Sequence, residues 1–303
     1  MKNISVNFCG IKLKNPIITA SGTYGFGREY NEYFSPSDIG AVCVKGLTLK
    51  ERTGNPPPRI AETWGGILNS VGLQNPGVHT FIKNELDWLK KTGAVVIANI
   101  AGNTVDEYCE MVKILSDTDT DLLEINISCP NVKEGGVAFG TNCDTVYNIT
   151  SRVKEVSKKP IIIKLSPNVT DITAIAHSAE KGGADALSLI NTILGMKIDI
   201  NTRKPVLYNN MGGLSGRAVL PVAVRMIHQV RQATKLPIIG MGGVTEYEDA
   251  VEIMLAGANT VAVGTAMFNN PNACMDILNG LESYMNRNGI NDINDISGKV
   301  ILN

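Results

Sequence analysis

Short apolar runs recur along the chain and alternate with longer stretches in which apolar residues return every three or four positions. The runs at Pro16–Ala20, Ala41–Gly46, Val95–Ile100, Leu122–Ser128, Ile161–Ser166, Ala186–Asn191, Ile238–Gly242 and Val261–Ala266 predict eight strands. The intervening stretches predict helices over Arg28–Phe34, Thr80–Lys91, Val105–Leu115, Asp144–Ser157, Asp171–Lys181, Pro221–Ala233, Glu246–Leu255 and Asn272–Arg287. An earlier pair, Ile4–Phe8 and Ile11–Lys14 around Cys9-Gly10, predicts an N-terminal hairpin capping one end. Eight β/α units with no break in composition predict one α/β domain over residues 1–303, a closed (β/α)8 TIM barrel. Two connections, Thr48 to Pro76 and Thr192 to Arg217, are longer than a barrel needs. Both follow the carboxyl ends of strands, as does the glycine-rich stretch after Cys129, so extended loops converge on the face where barrel active sites lie.

The strand Leu122-Leu123-Glu124-Ile125-Asn126-Ile127-Ser128-Cys129 ends at Pro130 and carries the most unusual chemistry. Alternation sends Glu124, Asn126 and Ser128 to one face, which a barrel interior tolerates only if each group finds a partner. Gly135, Gly136 and Gly140 suit a mobile loop closing over a ligand, with Cys129 at its hinge. A thiol with a reference pKa of about 8.5 needs about one unit of depression, roughly 1.4 kcal/mol, to serve as a base near neutrality. A buried structural cysteine is the plain alternative.

The other strand ends supply Ala20-Ser21-Gly22, Lys45-Gly46, Asn99, Lys164, Ile190-Asn191-Thr192, Gly242-Gly243 and Gly264-Thr265. Amides, glycines, two lysines and a thiol suit a planar, hydrogen-bonding anion better than a metal or a peptide. Lys45 and Lys164 each end an apolar run, where a buried ammonium is costly without an anion, although either could reach past the rim into solvent. Gly242-Gly243 and Gly264-Thr265 stand where many barrels bind phosphate. Ile239-Gly240-Met241-Gly242-Gly243 only faintly matches a dinucleotide fingerprint, lacking its last glycine.

With 28 basic and 29 acidic residues among 303, the chain offers no electrostatic footprint for nucleic acid. No run reaches the about 18 apolar residues of a membrane span, and Met1–Val6 lacks a signal-peptide core, which predicts a cytoplasmic protein without a membrane. Six cysteines, at 9, 43, 109, 129, 143 and 274, lack metal-site spacing and read as free thiols. His79, His177 and His228 fall in or beside helical segments and read as surface or packing residues.

Ser21-Gly22 with Gly25-Phe26-Gly27, Lys45, Gly54-Asn55-Pro56-Pro57-Pro58-Arg59, Leu68 to Pro76, Asn126-Ile127-Ser128-Cys129-Pro130-Asn131-Val132, Lys164 to Asn168 and Gly240-Met241-Gly242-Gly243 resemble class 1 dihydroorotate dehydrogenases over essentially the whole chain. The Gly54–Arg59 segment, Gln74 and Lys133-Glu134-Gly135-Gly136 look more like the NAD-linked subtype B than the fumarate-linked subtype A, with Ile67 where methionine is expected. The resemblance implies oxidation of (S)-dihydroorotate to orotate on FMN in pyrimidine synthesis, with Cys129 as the base at C5. It implies that Lys45, Asn69, Ser70, Val71, Gly72, Leu73, Asn126, Asn191 and Thr192 bind the substrate. Ser21, Lys45, Gly46, Asn99, Asn126, Lys164, Ile190, Gly216, Gly242, Gly243, Gly264 and Thr265 are then expected to hold FMN, with Lys164 near the flavin N1/O2 edge. A homodimer is expected to pair with an electron-transfer subunit carrying FAD and an iron–sulfur cluster, giving a heterotetramer that passes electrons to NAD. The residues alone leave open a barrel lyase or aldolase with Lys164 as a Schiff base, and a non-catalytic scaffold.

Overall fold

Parallel pairing closes the apolar runs into a barrel. A computed structural model describes residues 2–127, 133–134 and 137–303. Within it, β1 (Ile17–Thr19), β2 (Val42–Cys43), β3 (Val96–Ile100), β4 (Leu122–Asn126), β5 (Ile161–Lys164), β6 (Ala186–Leu189), β7 (Ile238–Met241) and β8 (Thr260–Val263) form one eight-stranded sheet. Each strand pairs in parallel with its sequence neighbour from β2 to β8, and β8 returns to β1. A bridge from Ile18 to Ala41 joins β1 to β2 and completes the (β/α)8 TIM barrel that the alternation predicts. Helices shield the outer faces and side chains fill the interior, so β3, β4, β5 and β8 are buried at every residue and read as mostly apolar runs with a few buried polar residues.

The seam between β1 and β2 depends on one residue without a side chain. Gly40 donates its N–H to the Ile17 carbonyl at 2.7 Å, and a Cβ at Gly40 would lie 2.1 Å from the Asn15 carbonyl oxygen. No larger residue allows that approach.

The hairpin pairs Val6–Phe8 with Ile11–Leu13 through Cys9 and Gly10, both at positive φ, the turn geometry that matches strand twist. Phe8 and Leu13 are fully buried, and the Cys9 thiol meets the Asp185 carbonyl just before β6, so the hairpin plugs the amino-terminal end of the barrel.

One expectation needs correction, and the long connections hold more order than the sequence foretells. The stretch Arg28–Phe34 forms no α-helix, only a 3-10 turn over Glu29–Glu32. Gly27 at φ 92° and Ser35-Pro36 bracket too few residues for more, and Tyr24 stacks on Tyr30 and Phe34 across the turn. The two long connections are not separate loops. Ile193–Met196, Met211–Ser215, Gly66–Asn69 and Ile60–Thr63 pair in that order as a four-stranded antiparallel sheet over the carboxyl face, with Asn69 opposite Gly213. Its small core is Ala61, Leu68 and Leu207. Three helices start on side-chain caps, at Thr104, Asn142 and Asp171, each accepting from a first-turn N–H. Among the described residues no helix is long and apolar enough to cross a membrane.

Gly40→Ala should push the seam apart and lower the unfolding free energy by about 1–3 kcal/mol or more, read from urea denaturation. A variant as stable as the parent would show that the close approach at Gly40 does not hold the barrel shut.

Candidate active site

The register of the barrel gathers polar side chains in its upper interior. Asn99 stands opposite Glu124, Lys164 opposite Asn126, and Ser188 opposite Lys164 on successive strands. The Glu124 carboxylate is 1 % exposed and is met on both oxygens. Ser188 Oγ donates to Oε1 at 2.7 Å, Asn99 Nδ2 donates to Oε2, and the Cys43 thiol lies 3.4 Å from Oε2. Burial, and then the charge of Glu124, push the Cys43 thiol well up, which keeps it a protonated donor. Lys164 Nζ, 3.6 Å from Oε2 and 6 % exposed, also donates to Ser21 Oγ at 3.2 Å. With its amide nitrogen committed to Glu124, Asn99 turns Oδ1 the other way. That oxygen is buried with no hydrogen-bond partner among the described residues, and a Cβ on Gly46 would come within 2.9 Å of it.

Above this layer runs a chain of amides. Tyr108 donates its hydroxyl to the Asn126 carbonyl at 2.7 Å, and Asn126 Oδ1 accepts from Asn191 Nδ2 at 3.2 Å. Asn191 Oδ1 accepts from the Thr192 N–H, and Asn168 Nδ2 donates to the Thr192 carbonyl. Thr192 lies against Gly213, whose carbonyl accepts from Asn69 Nδ2 at 3.3 Å. The inserted sheet thus brings Asn69 to the same rim as Asn126, Asn191 and Thr192.

A strap and a loop close the side over β2. Asn55 N–H donates to the Val71 carbonyl and Asn55 Nδ2 to the Ser70 carbonyl, while Arg59 Nη2 meets Gln74 Oε1 at 2.5 Å. Ser70 and Val71 therefore contribute backbone to the strap contact, and the buried Ser70 hydroxyl has no partner among the described residues. Gly72 and Leu73 both take positive φ, and the Leu73 side chain lies beside Gly46. Asn75 holds this turn: Nδ2 donates to Thr48 Oγ1 and the Leu73 carbonyl, and Oδ1 accepts from the Thr48 and Gly77 N–H groups. Lys45 reaches this region without an ion pair among the described residues. Burial, and then the Arg59 guanidinium, hold its ammonium below the usual lysine range.

The opposite side is glycine and hydroxyl. Gly242 and Gly243 have φ of 123° and 83°, conformations that leave backbone exposed to a ligand. Ile190 packs beneath Gly242, and Gly216 packs on Gly66 of the inserted sheet. Gly264 abuts Ala20, and Thr265 Oγ1 donates to Ser215 Oγ at 2.9 Å. The N–H groups of Gly243, Gly264 and Thr265 have no acceptor among the described residues.

Cys129, with Ser128, Pro130, Asn131 and Val132, lies outside the described residues, as do Gly135 and Gly136. The base and the mobile loop expected there therefore stay expectations from sequence. On the near side β4 ends at Asn126; on the far side Phe139 is buried edge-on against Tyr108, and Gly140 packs on the Ile127 carbonyl. Cys43 and Ser188 belong to the site's support but carry no sequence signal of it, since their partner Glu124 stands far along the chain, whereas Arg59 and Asn75 fall inside segments on which the resemblance rests. Lys164 is engaged by a carboxylate and a hydroxyl, and an ion-paired ammonium is no nucleophile, which weighs against the Schiff-base lyase.

The chain matches the family profile described as dihydroorotate dehydrogenase over residues 3–285. It is 57% identical over 299 residues to a protein of Alkaliphilus oremlandii, covering 99% of each chain. Relatives from Thermoanaerobacter pseudethanolicus and Petrotoga mobilis are 53% and 50% identical over 298 residues, 98% of this chain and 99% of theirs. All three are named dihydroorotate dehydrogenase B (NAD(+)), catalytic subunit.

Lys45→Met should leave the ligand-free protein at least as stable as the parent while lowering affinity for a planar carboxylate such as orotate about 10- to 100-fold, measured by thermal shift and titration. The ordinary lysine value is 10.5 and the folded value lies below it, so between the two the folded chain binds fewer protons than the unfolded chain. The unfavourable contribution of Lys45 fades as pH rises through that window, and the two proteins should converge in stability towards alkaline pH.

Proposed function

The chain belongs to the dihydroorotate dehydrogenase family, and from that premise we propose that it oxidises (S)-dihydroorotate to orotate in pyrimidine biosynthesis, as the FMN-bearing catalytic subunit of an NAD-linked enzyme. What carries the proposal on the structural side is Lys45, a largely buried ammonium with a guanidinium beside it and no carboxylate among the described residues to pair with. The carboxylate of dihydroorotate supplies the missing charge. Asn69, Asn126, Asn191 and Thr192, with the backbone of Ser70, Val71, Gly72 and Leu73, present alternating donors and acceptors to the carbonyl and N–H edges of the pyrimidine. Cys129 takes the C5 proton as its thiolate.

FMN, when bound, accepts the hydride from C6. What supports FMN as the group held is Asn99 Oδ1 beside Gly46, without a partner among the described residues and an acceptor for a ring N–H, together with the glycine-lined side where three backbone N–H groups lack acceptors among the described residues. Ser21, Gly46, Asn99, Ile190 and Gly216 would line the ring and ribityl chain, Gly242, Gly243, Gly264 and Thr265 the phosphate. Lys164 places positive charge in this cavity, suited to an N1/O2 edge that becomes negative on reduction.

The relatives' shared name, catalytic subunit, presupposes another subunit. We assign this chain to a cytoplasmic homodimer that binds an electron-transfer subunit carrying FAD and an iron–sulfur cluster, a heterotetramer in which electrons leave towards NAD. In support of an assembly, Ile60, Trp64, Leu194, Met196, Ile198, Ile200, Tyr208 and Met211 expose apolar side chains on the inserted sheet and its neighbouring turns, with Met196 directly opposite Met211.

The purified chain should show a flavin spectrum that bleaches on anaerobic addition of dihydroorotate; a colourless protein that stays inert after FMN is supplied would overturn the proposal. Cys129→Ser should lose about 10²- to 10⁴-fold in the rate of that bleaching while retaining FMN. Alone, the chain should reduce NAD poorly, and efficient NAD reduction by this single polypeptide would remove the need for the partner.

A further inference from the structure

Resting on the FMN reading, we propose that Glu124 is a positioning residue for the cofactor: acting through Lys164 and Asn99, its carboxylate lowers the positive charge the flavin meets and fixes the acceptor that faces it. Nothing in the reaction itself requires an acid at this depth. Glu124 is nevertheless held by side chains from β2, β3 and β6, with Ser188 on one oxygen and Asn99 and Cys43 on the other. A carboxylate gripped in this way cannot turn to follow a ligand, so its field is fixed relative to the barrel.

Two consequences follow at the cavity. Asn99 must point its amide nitrogen at Glu124, because a carboxylate accepts and does not donate, and this leaves Oδ1 beside Gly46 as a permanent acceptor. Lys164, 3.6 Å away, shares its charge between Glu124 below and whatever lies at Ser21 above, so the cavity meets a dipole and not a bare cation. Reduced flavin carries negative charge at its N1/O2 edge, and an uncompensated cation there would hold electrons tightly. A flavin that must pass electrons onward to a weak oxidant such as NAD is better served by a lower potential, which partial neutralisation of Lys164 by Glu124 supplies.

The test is the two-electron midpoint potential of bound FMN, measured anaerobically against a reference dye, in the parent and in Glu124→Gln and Ser188→Ala. Glu124→Gln keeps shape and removes the charge, and the oxidised-to-reduced equilibrium should move about tenfold towards reduced flavin, roughly 30 mV more positive. Ser188→Ala withdraws a donor from Oε1 and leaves more of the carboxylate's charge to face Lys164, so it should shift the potential the opposite way, by less. Thermal melting of the cofactor-free proteins reports folding, and if Glu124→Gln does not fold, the sign of the Ser188→Ala shift decides. A folded Glu124→Gln that binds FMN at the parent's potential or a lower one, or a folded Ser188→Ala at the parent's potential or a higher one, overturns the role of Glu124. A parent chain that binds no FMN overturns the functional reading itself, a failure distinct from an unchanged potential in flavin-loaded variants.

Discussion

A carboxylate without access to water has to be met on both oxygens, and this constraint organises the upper barrel. Glu124 draws Cys43, Asn99, Lys164 and Ser188 from four other strands into one cluster. The cluster depends on the sheet being curled into a barrel, because Cys43 on β2 and Ser188 on β6 each start two strands away from Glu124 on β4, and Lys164 on β5 reaches across the interior to Ser21 just after β1. Barrel closure and site assembly are therefore one event: the interaction that satisfies the acid also aims Asn99 and anchors Lys164.

The site's two walls obey different physics. The floor consists of strand ends whose polar groups are matched to one another inside the barrel, and it is rigid for that reason. The wall over β2 is a loop with residues at positive φ, kept in place by the four hydrogen bonds of Asn75 and the strap from Asn55 to Arg59. On that wall Lys45 has no ion pair among the described residues, and burial and the Arg59 guanidinium both oppose its charge. A group of this kind opposes the ligand-free fold and favours the occupied one, a local conflict of the sort that functional sites carry.

Much of this was legible in the chain. Eight strands show themselves because burial on both faces leaves mostly apolar runs, and Lys45 and Lys164 stand out because charge ends such runs. Glu124 could be assigned to the interior from alternation, but its partners at positions 43, 99 and 188 could not, since pairing across the barrel leaves no local trace. The inserted sheet was hidden for a related reason: its strands are short, rich in glycine and without alternation, as in Met211-Gly212-Gly213-Leu214-Ser215. The turn at Glu29–Glu32 was overread as a helix because apolar spacing over so few residues cannot distinguish one turn from two. Cys129 was singled out from its neighbours in sequence and falls outside the described residues.

The inserted sheet also bears on how the chain matures during synthesis. Its strand Gly66–Asn69 pairs with Met211–Ser215, so the first half leaves the ribosome long before its complement exists. Closing so large a loop is entropically costly until other contacts have brought its ends together, and here the barrel strands provide that proximity. The roof over the carboxyl face is then the last part to settle, laid over a finished floor. A nascent chain halted before residue 211 would carry Lys45, Glu124 and the rim residues Asn69, Asn126, Asn191 and Thr192, yet lack the strand that brings Asn69 to the others.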